Sequence, residues 1–396
     1  MRKLALSIAL VLPLFSFSQD DLINKIKDNK SDSAKKKFEF KHIINLETTD
    51  VKNQGKSGTC WSYSTNSFLE SEMIRMGKKP VDIAEIYTAR CVYKERADAF
   101  VRMHGEFSYG DGGACHDVIN MYAKYGALPQ SVYSGLNYGT DKNVFGEMQG
   151  ILKAMLDVVV KNPNKRITPN WKKAFEGVLD AYLGPVPETF EYQGKLYTAK
   201  TFARNVVGIN PQDYMEFSSF SYQPYYEKTM LMVPDNWSLD KVYNLPLNDM
   251  IPIIDNALKN GYTVAWATDV SEKYFSWKNG VAYVPDMTWA ELDEVKEKED
   301  YEALFDGPKK DLKITEEIRQ EAFDNYTTTD DHGMHIVGMA EDQNGKEYYI
   351  VKNSWGEKND YKGYIYVTKA YVQYKTTAFL VHKDAVPAYI IKKLKS

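Results

Sequence analysis

Hydrophobic spacing divides this chain into a helical first part and a β-rich last part. After Cys60, apolar side chains recur every three or four positions as far as Met76, and Gly77 stands where a helix commonly ends. The last hundred residues instead show short apolar runs separated by turns, including Asn344-Gly345, a pair that favours a tight hairpin. The strands predicted there are 335–340, 348–352, 364–367 and 378–381. Helices followed by strands predict an α+β fold.

The middle of the chain mixes helical spacing, one β-rich run and proline-rich loops. Four segments read as helical, namely 118–125, 145–161, 171–182 and a charged stretch over about 288–325, while 262–268 is β-rich. These patterns predict a helical lobe that carries Cys60, a large helical insertion, a β-rich lobe and a C-terminal tail, with bounds 42–135, 136–260, 261–387 and 388–396.

The first residues predict an export signal. Arg2 and Lys3 precede an apolar run, and Ser16 and Ser18 are small residues at the positions that a signal peptidase inspects. We expect cleavage after Ser18 and a periplasmic or extracellular protein without a stable membrane anchor, because the apolar run is shorter than the about 20 residues of a spanning helix. A retained anchor is the alternative. The lysine-rich residues 19–41 are expected to form a loose, solvated arm.

Composition excludes several classes of protein. Of 396 residues, 43% are hydrophobic, which excludes disorder for most of the chain. Fifty basic residues against 54 acidic ones argue against binding nucleic acid through bulk charge. The three cysteines are an odd number, so at least one thiol is expected to be free. A Cys91–Cys115 disulfide is one alternative, and Cys91 as a small core residue is the other.

Cys60 is the candidate nucleophile. A thiol at a helix N-terminus is favoured in its thiolate form by the helix dipole. Gln54 lies six residues earlier in a glycine-bent loop, and its side-chain amide together with the Cys60 backbone N–H could supply two donors to an oxyanion. Such a site also needs a base, and His332 and Asn353 flank the predicted hairpin on adjacent strands. We expect Asn353 to accept a hydrogen bond from Nδ1 of His332, so that Nε2 faces the sulfur.

No metal or other cofactor is predicted. His332 and His335 are three residues apart on a strand, so they should point to opposite faces, and His335 is expected to be structural. His116 has no recognisable ligand spacing. Asp331 is interpreted as a solvated carboxylate, with tuning of the Cys60–His332 pair as the alternative.

Three motifs in this order resemble the signatures of papain-fold cysteine peptidases: Gln54 to Trp61, His332-Gly-Met, and Asn353-Ser-Trp-Gly. The Asp111-Gly-Gly113 loop, the helix after it and the Gly184-Pro-Val-Pro run resemble the bleomycin hydrolase/aminopeptidase C branch. The resemblance implies two lobes with a cleft between them, with Cys60 on the helical side and His332 and Asn353 on the β side.

The resemblance also implies how substrate binds. Peptides are the expected partners, and the backbone of Gly112 and Gly113 is expected to bind them beside Trp61. Trp355 is expected to contact the peptide and also to shield the His332–Asn353 hydrogen bond. Members of that branch tend to form closed hexamers, which makes a homo-oligomer an expectation by resemblance alone.

In the same branch the C-terminal carboxylate lies in the cleft and pairs with the substrate's α-ammonium, which makes the enzyme an aminopeptidase. Three lysines near Ser396 oppose that arrangement in this chain. An endopeptidase with a free tail, a Cys-dependent acyltransferase and an inactive peptide-binding homologue are therefore the alternatives to an aminopeptidase.

Overall fold

The computed structural model describes residues 38–164 and 166–395. The predicted signal peptide and most of the predicted arm therefore lie outside the described residues. The end of the predicted arm is part of the fold, because Phe38 is buried and the first strand begins at Phe40.

The four longest helices lie in the first half of the chain, where apolar residues recur at helical spacing. The helices are α1 (Cys60–Arg75), α2 (Glu85–Arg102), α3 (Cys115–Tyr125), α4 (Gly146–Val160), α5 (Asn170–Leu183), α6 (Ala199–Phe202), α7 (Leu247–Lys259), α8 (Trp289–Glu294), α9 (Lys298–Leu304), α10 (Glu316–Asp324), α11 (Lys369–Lys375) and α12 (Ala388–Ile391). Gly77 adopts a positive φ of 71° just beyond the end of α1, as the predicted helix end requires.

The strands are concentrated in the second half and are mostly short. They are β1 (Phe40–Asn45), β2 (Phe190–Tyr192), β3 (Lys195–Tyr197), β4 (Tyr214–Ser218), β5 (Lys228–Met230), β6 (Lys241–Asn244), β7 (Val264–Thr268), β8 (Phe275–Ser276), β9 (Val281–Ala282), β10 (His332–Asp342), β11 (Glu347–Lys352), β12 (Tyr364–Thr368) and β13 (Thr376–His382). The four strands predicted at the end of the chain are confirmed as β10 to β13, and the β-rich run at 262–268 contains β7.

One large sheet organises the molecule. Its order is β5-β6-β4-β13-β7-β10-β11-β12-β9-β8, and β1 pairs with the second half of β10. The strand β10 pairs antiparallel with β7 along its first half and with β11 along most of its length. The hairpin between β10 and β11 turns at Gly345, whose φ is 80°.

The sheet separates two hydrophobic cores. Ala265 and Leu380 pack with α1 to α5 on one face, whereas Trp266 and Phe379, their neighbours in the chain, pack with α7 on the other. The helix α1 is buried on nearly all sides because it lies between the other helices and β10. This α+β arrangement is the predicted fold class.

The segment 136–260 does not remain apart from the two lobes. Its helices α4 and α5 pack on the helical core, and its strands β4, β5 and β6 form one end of the large sheet. The charged stretch 288–325 contains the three short helices α8, α9 and α10 and a non-helical segment between α9 and α10. Among the described helices, none combines the length and apolar character needed to cross a bilayer.

Candidate active site

Cys60 is the first residue of α1 and is buried at 3% exposure. The glycine-bent loop before it turns through Gly55, whose φ is 67° and where a Cβ would lie 2.5 Å from the carbonyl oxygen of Asn143. The loop can follow this path because glycine tolerates both the backbone conformation and the close approach. The predicted placement of a thiol at a helix N-terminus is therefore present in the structure.

His332 begins β10, and its imidazole is held by Asn353 just after β11. The Nε2 atom of His332 lies 2.8 Å from Oδ1 of Asn353, which can only accept, so Nε2 carries the proton. The prediction that Nδ1 would bind Asn353 is wrong, because the ring enters from the start of β10 with Nε2 towards the β11 side. Nδ1 is consequently the nitrogen left to exchange a proton with a thiol.

Cys60 and His332 line one open cleft of about 300 Å³ between the helices and the sheet. The other lining residues are Trp61, Gly113, Cys115, Asp235, Ala267, Asp330, Asp331 and Gly333. A thiol at a helix N-terminus and an oriented imidazole thus meet in a space where a ligand can reach both, as nucleophilic catalysis requires.

Gln54 is fully buried and is bonded to the strand segment that carries Asn353. Its Nε2 donates to the carbonyl of Ser57 at 2.7 Å, and its Oε1 accepts from Oγ of Ser354 at 2.6 Å. The Gln54 backbone N–H also donates to the Ser354 carbonyl at 2.9 Å. An amide Nε2 has two hydrogens, so one remains for an oxyanion after the bond to Ser57. Ser354, which sequence reasoning missed, couples the two halves of the site.

The Asp111-Gly-Gly loop packs directly on Trp61. Trp61 Nε1 donates to the carbonyl of Asp111 at 2.9 Å, and a Cβ on Gly113 would lie 2.8 Å from the indole ring. Asp111 Oδ2 also accepts from the Gly58 backbone N–H at 2.6 Å, and burial raises the pKa of that carboxyl. The loop is thereby tied to the turn that precedes Cys60.

The two glycines have different surroundings. Gly113 lines the cleft, where its backbone can approach a ligand closely. The carbonyl of Gly112 already accepts from Arg96 Nη1 at 2.7 Å, and a Cβ there would lie 1.9 Å from a carboxylate oxygen of Asp235. The absence of a side chain at Gly112 therefore makes room for Asp235.

Trp355 shields the imidazole and does not line the cleft. Its ring centroid lies 4.6 Å from that of His332, and the indole is itself packed against Trp277 and Phe275. Removing water from around a hydrogen bond strengthens it, so Trp355 helps to hold the His332–Asn353 pair.

None of the three cysteines, all within the described residues, forms a disulfide, so the Cys91–Cys115 alternative is wrong. Cys91 is buried in the helical core, and burial raises the pKa of its thiol to about 12. Cys115 begins α3 and lines the cleft near Cys60, and burial likewise raises the pKa of its thiol. Neither thiol has the thiolate character expected of a nucleophile.

His335, His116 and Asp331 have structural partners. His335 Nδ1 bonds Ser67 of α1 at 3.0 Å, and burial lowers its pKa. His116 is paired with Glu216 at 2.7 Å; burial opposes its charge, but Glu216 raises the pKa to about 10. Asp331 is not the solvated carboxylate that was expected, because it accepts from the Val270 backbone N–H and the Ser271 hydroxyl.

Within the part of the chain that the structure describes, one group of side chains has the spacing of a metal site: Glu70, Asp82 and Glu85. Nζ of Lys52 forms ion pairs with all three, including a contact of 3.2 Å with Glu70. The ammonium group occupies the position between the carboxylates that a metal ion would need.

A model of the papain family of cysteine proteases matches residues 35–162 and 202–381, which is most of the chain. The chain belongs to the papain family of cysteine proteases. This agrees with the resemblance stated from the Cys60, His332 and Asn353 motifs, and the protein is a cysteine peptidase.

Comparison with individual proteins extends over nearly the full length. The peptidase is similar to Aminopeptidase W of Lactobacillus delbrueckii subsp. lactis, at 22% identity over 89% of this chain and 85% of the relative. It is also similar to human bleomycin hydrolase, at 23% identity over 90% of this chain and 85% of the relative. The crystal structure of PepW from Lactobacillus rhamnosis shares the fold, with a TM-score of 0.66 and 21% identity over 89% and 84% of the two chains.

Sequence reasoning did not find Asp235, Asp330 or Cys115 as residues of the cleft. Asp330 was close to a recognised motif, since it precedes His332 by two positions. Asp235 lies in a loop with no distinguishing pattern, and only the packing of that loop on Gly112 brings it to the cleft.

Proposed function

We propose that this cysteine peptidase is an aminopeptidase in which Cys60 is the nucleophile, His332 the acid and base, and Asn353 the residue that orients His332. The observation that carries the assignment is that Cys60 and His332 line one cleft while His332 Nε2 is held by Asn353. Removal of single amino acids from the N-terminus is supported by the names of the relatives Aminopeptidase W and Aminopeptidase G.

The arrangement supports two-step acyl transfer. The Cys60 thiolate attacks the substrate carbonyl carbon, and the resulting oxyanion is stabilised by the Gln54 amide and the helix N-terminus. Nδ1 of protonated His332 gives its proton to the leaving amine as the C–N bond breaks, which leaves an acyl-thioester on Cys60. Neutral His332 then takes a proton from water, whose oxygen attacks the thioester and releases the acid. Asn353 keeps the ring in one orientation through both proton transfers.

The test is stoichiometric labelling by a thiol-peptidase inactivator combined with rates of peptide hydrolysis. Wild type should bind one equivalent, and Cys60→Ala should abolish both labelling and turnover. The matched variant Cys91→Ala, which alters a thiol buried away from the cleft, should keep both. Full hydrolysis by Cys60→Ala would refute the assignment.

Two features outside the site belong to the same proposal. Export is supported by the pattern of residues 1–18, and N-terminal sequencing of protein recovered from outside the cytoplasm should find Gln19 first. Assembly into a closed oligomer remains a prediction, and light scattering on the purified peptidase measures it.

A further inference from the structure

Three aspartates line the cleft that contains Cys60 and His332: Asp235, Asp330 and Asp331. The nucleophile determines where the scissile bond of a peptide lies, so these three residues lie beside bound substrate. Their number is unusual for a surface that binds an uncharged peptide backbone, because even half-buried carboxylates are costly to crowd together unless a cation pairs with them.

Two of these carboxylates are held by the protein. Asp235 packs against Gly112 and lies 3.5 Å from the guanidinium of Arg96, a fully buried side chain. Asp331 accepts from Val270 and Ser271 in the loop after β7.

Asp330 is held less tightly, because one hydrogen bond to its carboxylate is present among the described residues. Its Oδ1 accepts from the Thr377 hydroxyl at 2.9 Å, and within the described chain no lysine or arginine forms an ion pair with it. Burial, with the added charges of Asp235 and Glu216, raises its pKa to about 7, although His116 lowers that value. Asp330 is therefore a carboxylate in the substrate cleft that lacks a basic partner.

Glu216 adds an independent observation beside the same wall. It is 8% exposed, its Oε2 bonds His116, and its Oε1 is buried with no hydrogen-bond partner among the described residues. Its charge raises the pKa of both Asp330 and Cys115, two residues of the cleft lining. Three carboxylates line this end of the cleft and Glu216 lies behind it, and the cations paired with them are Arg96, with Asp235, and His116, with Glu216.

The described part of the C-terminal tail lies elsewhere. Ile390 of α12 is buried in the core on the α7 face of the sheet. The cleft residues Ala267 and Gly333 are next in sequence to residues of that core, and because side chains alternate along a strand they lie on the opposite face. Lys393 pairs with Asp249 and Lys395 with Glu227, and the Lys395 backbone N–H donates to the Tyr226 carbonyl. Residues 388–395 do not line the cleft, whereas three aspartates do.

We propose that Asp330, supported by Asp235, binds the α-ammonium group of the peptide substrate and so directs cleavage to the N-terminal residue. This inference rests on the proposed aminopeptidase function and assigns its specificity to side chains of the cleft wall. A primary ammonium donates up to three hydrogen bonds and supplies the positive charge that this wall lacks.

The test compares alanyl and N-acetylalanyl coumarylamides on full-length wild type, Asp330→Asn and Asp235→Asn. The control Asp293→Asn alters an exposed carboxylate on α8 that does not line the cleft. Wild type should prefer the free amine. Asp330→Asn should lower kcat/KM for the free amine about 10- to 100-fold, mainly through KM, and leave the acetylated substrate unchanged, as expected for one lost charged hydrogen bond. Asp235→Asn should have a smaller effect in the same direction, and the control should have none.

Equal cleavage of the two substrates by wild type would overturn the proposal, as would equal effects of Asp330→Asn on both. A further arm uses N-acetyl-lysyl and N-acetyl-norleucyl substrates. If Asp330→Asn selectively impairs the lysyl one, the carboxylates bind a basic side chain and the α-ammonium assignment is wrong. Loss of active-site labelling in wild type would instead refute the proposed function itself.

Discussion

Replacing Asp330 with asparagine should stabilise the folded peptidase at alkaline pH. The carboxyl is half-buried beside Asp235 and Glu216, and its desolvation together with their negative charges raises its pKa from 3.8 to about 7, so its ionised form is disfavoured in the folded state. Asparagine keeps a side-chain oxygen that can accept from Thr377. The substitution therefore removes a half-buried charge and retains the one hydrogen bond.

The magnitude follows from linkage. Between about pH 4 and pH 7 the folded state holds a proton that the unfolded state has released, so the contribution of Asp330 to stability falls as pH rises and is fully lost above pH 7. Each tenfold change in an ionisation constant is worth about 1.4 kcal/mol, which sets an upper limit of about 4 kcal/mol. We expect Asp330→Asn to exceed wild type by about 2–4 kcal/mol at pH 8 and to equal it near pH 4.

Urea unfolding of both proteins at pH 4.5, 6 and 8, followed by tryptophan fluorescence, measures this difference. The exposed control Asp293→Asn should differ from wild type by less than about 0.5 kcal/mol at every pH. A constant difference between Asp330→Asn and wild type across the three pH values would refute the reasoning. Greater stability combined with weaker binding of free amines would show that the carboxylate is kept for function at a cost in stability.

Two further predictions concern the His332 support and the Lys52 cluster. Asn353→Ala removes the acceptor of the His332 Nε2–H, so kcat should fall about 10- to 100-fold while KM stays within about twofold. Unchanged active-site labelling would show that Cys60 is intact. A change in KM with no change in kcat would contradict this role. Lys52→Met leaves Glu70 and Glu85 buried without their cation, so the free energy of unfolding measured in urea at pH 8 should fall by about 3–5 kcal/mol. The exposed control Lys358→Met should change it almost not at all. A loss from Lys52→Met as small as that of the control would show that the carboxylates are solvated.

The sequence by itself determined the fold class, the helix that begins at Cys60 and the four strands at the end of the chain. Each depends on spacing within one element, where side-chain periodicity and turn residues act locally. The candidate triad was also readable, because Cys60, His332 and Asn353 each stand in a short motif and two of them flank one hairpin. A hairpin brings its two strands together whatever the rest of the molecule does.

Only the tertiary structure decided which nitrogen of His332 meets Asn353, since that depends on the direction from which the ring enters. It also decided that β4, β5 and β6 join the large sheet. These strands have three to five residues, and a strand that short is stabilised by its partners more than by its own sequence.

The acidic wall of the cleft was likewise a tertiary result. Asp330 lies just before β10, Asp235 lies in a loop held by Arg96, and Glu216 lies on β4, so three separate segments must pack before their charges meet. The local sequence around a carboxylate does not predict that residues distant in the chain will pack beside it. Burial and like charge, which set the properties of this wall, exist only once the chain has folded.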